Sequence, residues 1–391
     1  MNNKNNKFKF LGGAGLISSL FHIPLFSPIL RFSDSPIQTS SATLAPSSSS
    51  PSSSGILDIC RLKVSFFTEE GEVCAVNDVN FFMRRGKVMA LVGESGCGKS
   101  VTAFSILRLI QKPGKIMGGE ILFRPSGEDP VDIMKLGENS NALFNIRGGK
   151  ISMIFQEPMT ALSPVHTIGN QICEAILIHQ NVSKADAERK AVDMLRKVGI
   201  PGAEQRLAQY PFEMSGGMRQ RAMIAMALVC NPEILIADEP TTALDVTIQA
   251  QIMFLMKKLQ KELGTSILLI THDLGVVAQM ADDVAVMYLG RIVEQGDVRT
   301  IVKRPLHPYT MGLIASLPGL SADKERLHSI KGSVPSLTSI PQGCPFHPRC
   351  EYYKPGLCDV GKPPVLEEIE AGHSAACLRV KEIREEKKRS E

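Results

Sequence analysis

The chain has 391 residues, 43% of them hydrophobic, nine cysteines and a formal net charge of +4, enough apolar material for one large domain with appendages. Its Lys and Arg are scattered among Asp and Glu and form no basic stripe, so nucleic acid gains no support as a partner. Several cysteines, Cys230 among them, sit in apolar runs, which reads as reduced thiols of a cytosolic protein and excludes a disulfide framework.

Residues 1–55 read as a leader. Phe10 to Leu30 is mostly apolar and without formal charge behind Lys4, Lys7 and Lys9, an outline shared with signal peptides and membrane spans. Pro24, Pro28 and Gly12-Gly13-Ala14-Gly15 oppose a helix, and no A-x-A cleavage site follows. A Ser-rich, acid-poor leader also fits an organelle transit peptide. The reading is a dispensable or disordered leader, with targeting and membrane contact as alternatives. Ser33 to Ser54 is a Ser/Pro run too polar to bury a core, so folding starts near Gly55.

From Ile56 to Phe67 and from Val73 to Arg84 the pattern alternates around a Glu69-Glu70-Gly71-Glu72 turn, predicting an antiparallel edge sheet. Short buried runs then alternate with helical segments: Val88 to Val92, Ile151 to Phe155, Ile234 to Ala237, Ile267 to Ile270 and Val284 to Tyr288. They predict a largely parallel α/β core. Asn170 to His179 and Lys184 to Val198 have helical spacing, which places a helical subdomain at about 165–220 inside a main domain of residues 56–300. From about Thr300, Pro305, Pro308, Pro318, Pro335, Pro341, Pro345 and Pro348 break any long element. Residues 301–391 therefore read as a separate, loop-rich, Cys-containing extension.

Three segments carry chemistry. Gly93-Glu94-Ser95-Gly96-Cys97-Gly98-Lys99-Ser100, with Val101 behind it, follows a buried strand and opens a helix, the context a phosphate-binding loop requires. There glycines admit the phosphates, backbone N–H groups face their oxygens, Lys99 reaches the terminal phosphates and Ser100 ligates magnesium. Ile234 to Ala237 runs into Asp238-Glu239, where alternation sends one carboxylate toward magnesium and the other toward an attacking water. Met214-Ser215-Gly216-Gly217-Met218-Arg219-Gln220-Arg221 presents a second helix start suited to a phosphate. Standing alone, this last segment would be an ordinary turn and cap.

With His272 these segments resemble the ATP-binding-cassette family of P-loop ATPases across Ile56 to Gln295. The resemblance implies that ATP is the substrate and Mg2+ the ion held by Ser100, Gln156 and Asp238. It implies Glu239, His272 and Gln156 as catalytic residues: Glu239 as general base or water-positioning group, His272 at the γ-phosphate, and Gln156 sensing magnesium, water and membrane partner. It implies further that Ser215, Gly216, Gly217 and Asp245, in Ala243-Leu244-Asp245, act across a head-to-tail dimer on the other subunit's nucleotide. An aromatic stacks on adenine in the family. Phe66 is the match, with neighbouring Phe67 as the alternative.

Phe155-Gln156-Glu157-Pro158-Met159-Thr160-Ala161-Leu162-Ser163-Pro164, Met218 within the signature, and Ala237 to Gln249 are similar to the ATPase subunits of dipeptide and oligopeptide permeases. His307-Pro308-Tyr309-Thr310 and Cys344-Pro345-Phe346-His347-Pro348-Arg349-Cys350 extend the likeness into the tail. That branch implies two transmembrane permease subunits, a second, non-identical ATPase subunit, an extracytoplasmic binding protein, and a peripheral place on the cytoplasmic membrane face. The solute is a peptide, with nickel or another small solute as the alternative and a non-transport cassette as a remote one. Cys344, Cys350, Cys358 and Cys377 could enclose zinc or an iron–sulfur cluster, though neither a common zinc spacing nor a ferredoxin run is present. The resemblance implies a 4Fe-4S cluster, leaving zinc and unligated thiols as alternatives. His373 could substitute as a ligand, but reads first as a surface histidine.

Overall fold

The computed structural model describes residues 55–157, 161–242, 244–317 and 330–390, without the side chains of 387–390. The leader and Ser/Pro linker, Pro158 to Thr160 and Ala243 lie outside the described residues.

β1 (Gly55–Thr68) and β2 (Gly71–Arg84) form the expected antiparallel hairpin, Thr68 facing Gly71. After β3 (Val88–Val92), β4 (Gly114–Phe123) returns to the free edge of β1, and the short β5 (Val131–Asp132) follows it. Among the described residues these make a four-stranded antiparallel sheet, β2-β1-β4-β5.

The second sheet, eight-stranded among the described residues, runs β11-β12-β10-β9-β3-β8-β7-β6. It contains β6 (Ile151–Ile154), β7 (Ile234–Asp238), β8 (Ser266–Thr271), β9 (Asp283–Tyr288), β10 (Arg291–Asp297), β11 (Glu367–Glu370) and β12 (His373–Ala375). The five strands from β9 to β6 are parallel, as their continuous apolar text requires. Alternation along β7 shows why: Ile234 and Ile236 enter the core shared with the antiparallel layer, while Leu235 and Ala237 enter the core under the helices.

Between β6 and β7 lies the helical insert. α1 (Lys99–Ile106) and α2 (Asn141–Ile146) precede it, and α3 (Ile168–His179), α4 (Lys184–Lys197) and α5 (Ala203–Arg206) build it. Thr167 caps α3 by accepting from the Asn170 N–H at 3.2 Å, and Ser183 caps α4 from Asp186 at 3.1 Å. Ile168, Ile172 and Ile176 of α3 meet Ala187, Ala191 and Leu195 of α4 in one buried cluster. α6 (Gly216–Leu228) brings the chain back to β7. α7 (Val246–Leu263) and α8 (Leu274–Met280) follow β7 and β8.

The tail begins with α9 (Val298–Lys303) and α10 (Pro308–Ala315) and ends with α11 (Val380–Ser390). Prolines keep most of it irregular, yet it is sewn into the core. β12 pairs with β10, Glu294 opposite Ala375, and Tyr309 and Phe346 pack beneath β3 and β9 with Val92, Val286 and Tyr288.

Candidate active site

The loop between β3 and α1 has the shape its glycines allow. Gly93 and Gly98 have φ of +155° and +104°, and a Cβ there would stand 2.2 Å from the Met287 carbonyl oxygen and 2.3 Å from that of Ala75. No side chain fits either place. Ser95 and Gly96 are exposed at the loop tip, and Val101 packs back onto the core from the first turn of α1. Lys99 is 5% exposed, its ammonium donating to the Gly93 and Glu94 carbonyls at 2.8 and 3.0 Å. Cys97 is buried beside it, and burial pushes its thiol pKa up, so the thiol stays protonated and inert.

Asp238, 2% exposed at the end of β7, accepts from the Ser100 hydroxyl at 3.1 Å. Burial, opposed by that hydrogen bond and reinforced by the charge of Glu239, pushes its carboxyl up to about 6. A carboxylate so placed gains most from a nearby cation.

Glu239 has a left-handed backbone, φ +45°, pinned by its N–H donating to the Ile270 carbonyl at 2.9 Å. Such a conformation is costly for a non-glycine residue and is typical of working sites. Three groups surround its carboxylate. Thr242 Oγ1 donates to it at 3.0 Å and Gln156 Nε2 at 3.3 Å, and His272 Nδ1 lies 3.2 Å from the other oxygen. Gln156, Glu239 and His272 thus converge from the C-terminal ends of β6, β7 and β8, where open α/β sheets bind ligands. Thr242 was not among the sequence candidates. Its signal is a hydroxyl three residues beyond the acid pair.

The Ser215 segment forms a second node. Ser215 is exposed and caps α6, accepting from the Met218 N–H at 3.4 Å. Gly216 and Gly217 leave room for Leu244 and Ile248, a Cβ at Gly217 standing 3.2 Å from Ile248. Asp245 caps α7 by accepting from the Ile248 N–H at 2.9 Å. Gln220, buried in α6, donates to the Pro240 carbonyl, joining this node to the acid pair. On β1, Phe66 is half-buried against Gly114 whereas Phe67 is 46% exposed.

The family model described as ABC transporter matches residues 76–242, and the one described as oligopeptide/dipeptide transporter, C-terminal region, matches residues 293–358. A probable peptide ABC transporter ATP-binding protein of Sinorhizobium fredii is 52% identical over 337 residues, 86% of this chain and 98% of that protein. The oligopeptide transport ATP-binding protein OppD of Escherichia coli is 47% identical over 83% of this chain and 93% of its own. The chain belongs to the ATP-binding subunits of the ABC peptide permeases. A dimeric ATP-binding cassette solved with ADP and Pi superposes with a TM-score of 0.55 at 26% identity, covering 62% of this chain and 99% of that one. Like other ABC ATP-binding subunits it is an ATPase coupled to transport. Among the described residues no helix is long and apolar enough to cross a membrane.

The tail of this ABC subunit gathers its four cysteines. Cys344, Cys350, Cys358 and Cys377 line one small cavity with His307 and Arg379. Burial pushes the thiols of Cys344, Cys350 and Cys377 up to about 11, against the pull of backbone N–H groups of Phe346, Tyr352 and Arg379 on their sulfurs. Among the described residues no three His, Cys, Asp or Glu side chains are grouped as a metal site. The implied 4Fe-4S or zinc site therefore has its donor set around one cavity, without ligand geometry. His373 corrects the sequence reading: it is 1% exposed, its Nε2 2.8 Å from buried Glu294.

Proposed function

We propose that this ATPase is the motor of a peptide importer, and that its ATP site is assembled from the residues above. Gly93 to Val101 cradle the phosphates, with Lys99 reaching the β- and γ-oxygens. Ser100 and Asp238 would hold magnesium with Gln156, and its charge would offset the negative charge that develops on the transferred phosphoryl group. Glu239 takes or orients the proton of the attacking water, Gln156 and Thr242 hold its carboxylate in place, and His272 meets the γ-phosphate. Phe66, held half-buried, offers adenine a fixed ring. The observation that carries this reading is the convergence of Gln156, Thr242 and His272 on a strained Glu239 beside the Ser100–Asp238 pair.

Ser215, Gly216, Gly217 and Asp245 act on the nucleotide of a second, non-identical ATPase subunit, and the closing and opening of that pair drives two permease subunits fed by an extracytoplasmic binding protein. The chain then sits peripherally on the cytoplasmic face of the membrane. Peptide is favoured as the solute by the names of the relatives and by the tail match. Co-expression with two candidate permease subunits should move the protein from the soluble to the membrane fraction and confer ATP-dependent uptake of a labelled peptide. Nickel uptake in its place would change the solute, and a chain that stays soluble throughout would remove the transport reading.

For the tail, the four thiols supply the donor chemistry of a 4Fe-4S cluster, with zinc as the alternative. Protein purified without oxygen is expected to be brown, absorbing broadly at about 400 nm, and Cys350→Ser should bleach it. Stoichiometric zinc without iron would establish the alternative, and protein free of both metals would leave four unligated thiols.

A further inference from the structure

A phosphate-binding loop works by positive potential, yet this one carries a glutamate directly after its first glycine. Glu94 is held at every polar atom. Its N–H donates to the Tyr309 hydroxyl at 2.9 Å, its carbonyl accepts from Lys99, and its carboxylate is forked by Arg349, Nη1 at 2.7 Å and Nη2 at 2.9 Å. Both outside partners come from the tail, more than two hundred residues away. The Arg349 side chain is 4% exposed, stands 5.9 Å from the centres of the Tyr288 and Phe346 rings, and donates through Nε to the Lys331 carbonyl at 3.2 Å. Tyr309 is fully buried, its ring 4.7 Å from Tyr288.

We infer that Arg349 is a positioning residue for ATP binding: it neutralises Glu94 and holds that carboxylate away from the loop mouth, so that the tail sets the affinity of the phosphate loop. Two charges of opposite sign at hydrogen-bond distance, largely out of water, form a strong bidentate contact. Removing only the guanidinium leaves a carboxylate beside the seat of a triphosphate, where like charges repel. Tyr309 adds the directional part by fixing the Glu94 N–H. Since Arg349 lies between Cys344 and Cys350, whatever orders the cysteine loop also orders this brace, and by linkage ATP on the loop stabilises the tail.

This inference rests on ATP occupying the Gly93 to Ser100 loop, so Lys99→Ala serves as a control for that premise. The purified full chain is titrated with Mg-ATP by calorimetry, and folding is checked by thermal melting and size-exclusion chromatography. Arg349→Leu is expected to weaken ATP binding about tenfold, and Glu94→Gln placed in the same chain to recover most of the loss, because the repulsive charge is gone. Arg349→Lys should fall between. If Arg349→Leu folds and Glu94→Gln gives no recovery, Arg349 is structural packing only and the inference is overturned. If Arg349→Leu fails to fold, the test passes to Arg349→Lys with and without Glu94→Gln, and equal affinities for that pair would likewise overturn it. Loss of ATP binding in Arg349→Leu with none in Lys99→Ala would place the fault in the premise.

Discussion

Lys99→Ala is expected to weaken ATP binding by roughly ten- to a hundredfold and to abolish transport, while leaving the chain folded. The ammonium is the one side-chain cation within hydrogen-bond reach of the Gly93 and Glu94 carbonyls among the described residues, and it is the group able to follow the β- and γ-phosphates. Its removal strips two loop carbonyls of a donor, which costs about 1–3 kcal/mol for each buried acceptor left unpaired. Because water can enter from the exposed tip at Ser95 and Gly96, the cost falls at the low end, below the roughly 5–15 kcal/mol that holds a domain together. Calorimetric titration with Mg-ATP and a thermal melt separate the two effects. Unchanged ATPase turnover would take the phosphate loop out of the mechanism.

The parallel core was legible because its strands are continuous apolar runs. Val88–Val92 and Ile234 to Ala237 need no partner to be recognised, and the predicted limits agree with the observed ones to within a residue or two. β4 was invisible for the opposite reason. Gly114-Lys115-Ile116-Met117-Gly118-Gly119 has no clean alternation and carries glycine at both ends, which weakens any strand signal, and it becomes a strand by pairing with β1 some fifty residues earlier. The same holds in the tail, where His373 to Ala375 is too short to read and is defined by the edge of β10.

The site divides in the same way. The Gly93 to Ser100 loop and the Asp238-Glu239 pair are local text, so spacing alone reached them. Gln156, His272 and Phe66 are single residues after or within strands, and resemblance was needed to single them out. Thr242 and the Tyr309 and Arg349 contacts with Glu94 are products of the folded topology. His307-Pro308-Tyr309 could be seen as a motif, but its work could not: the imidazole Nδ1 caps α10 by accepting from the Tyr309 N–H at 3.1 Å, which sets the ring that reaches the phosphate loop.

Glu239→Gln keeps the size of the side chain and removes the charge that accepts or orients a proton, so hydrolysis is expected to fall by roughly two to four orders of magnitude. The hydrogen-bond shell constrains the outcome. Thr242 Oγ1 and Gln156 Nε2 both donate to one carboxylate oxygen, and a glutamine can keep these if its own oxygen takes that place, turning its NH2 toward His272. The backbone strain at φ +45° is unchanged by the substitution, so folding should be preserved. Binding of ATP should persist as well, since the phosphate loop and the Ser100–Asp238 pair are untouched. ATP held without turnover should then lock the assembly in its closed state. Ser215 at the start of α6 and Asp245 at the start of α7 are both exposed, free to engage the nucleotide of another subunit. Size-exclusion chromatography of Glu239→Gln with Mg-ATP should therefore show a dimer that is absent without nucleotide, most stable with a non-identical ATPase subunit of the same permease. A variant that binds ATP yet stays monomeric, alone and with its candidate partner, would falsify the two-subunit site and the role assigned to Ser215, Gly216 and Gly217.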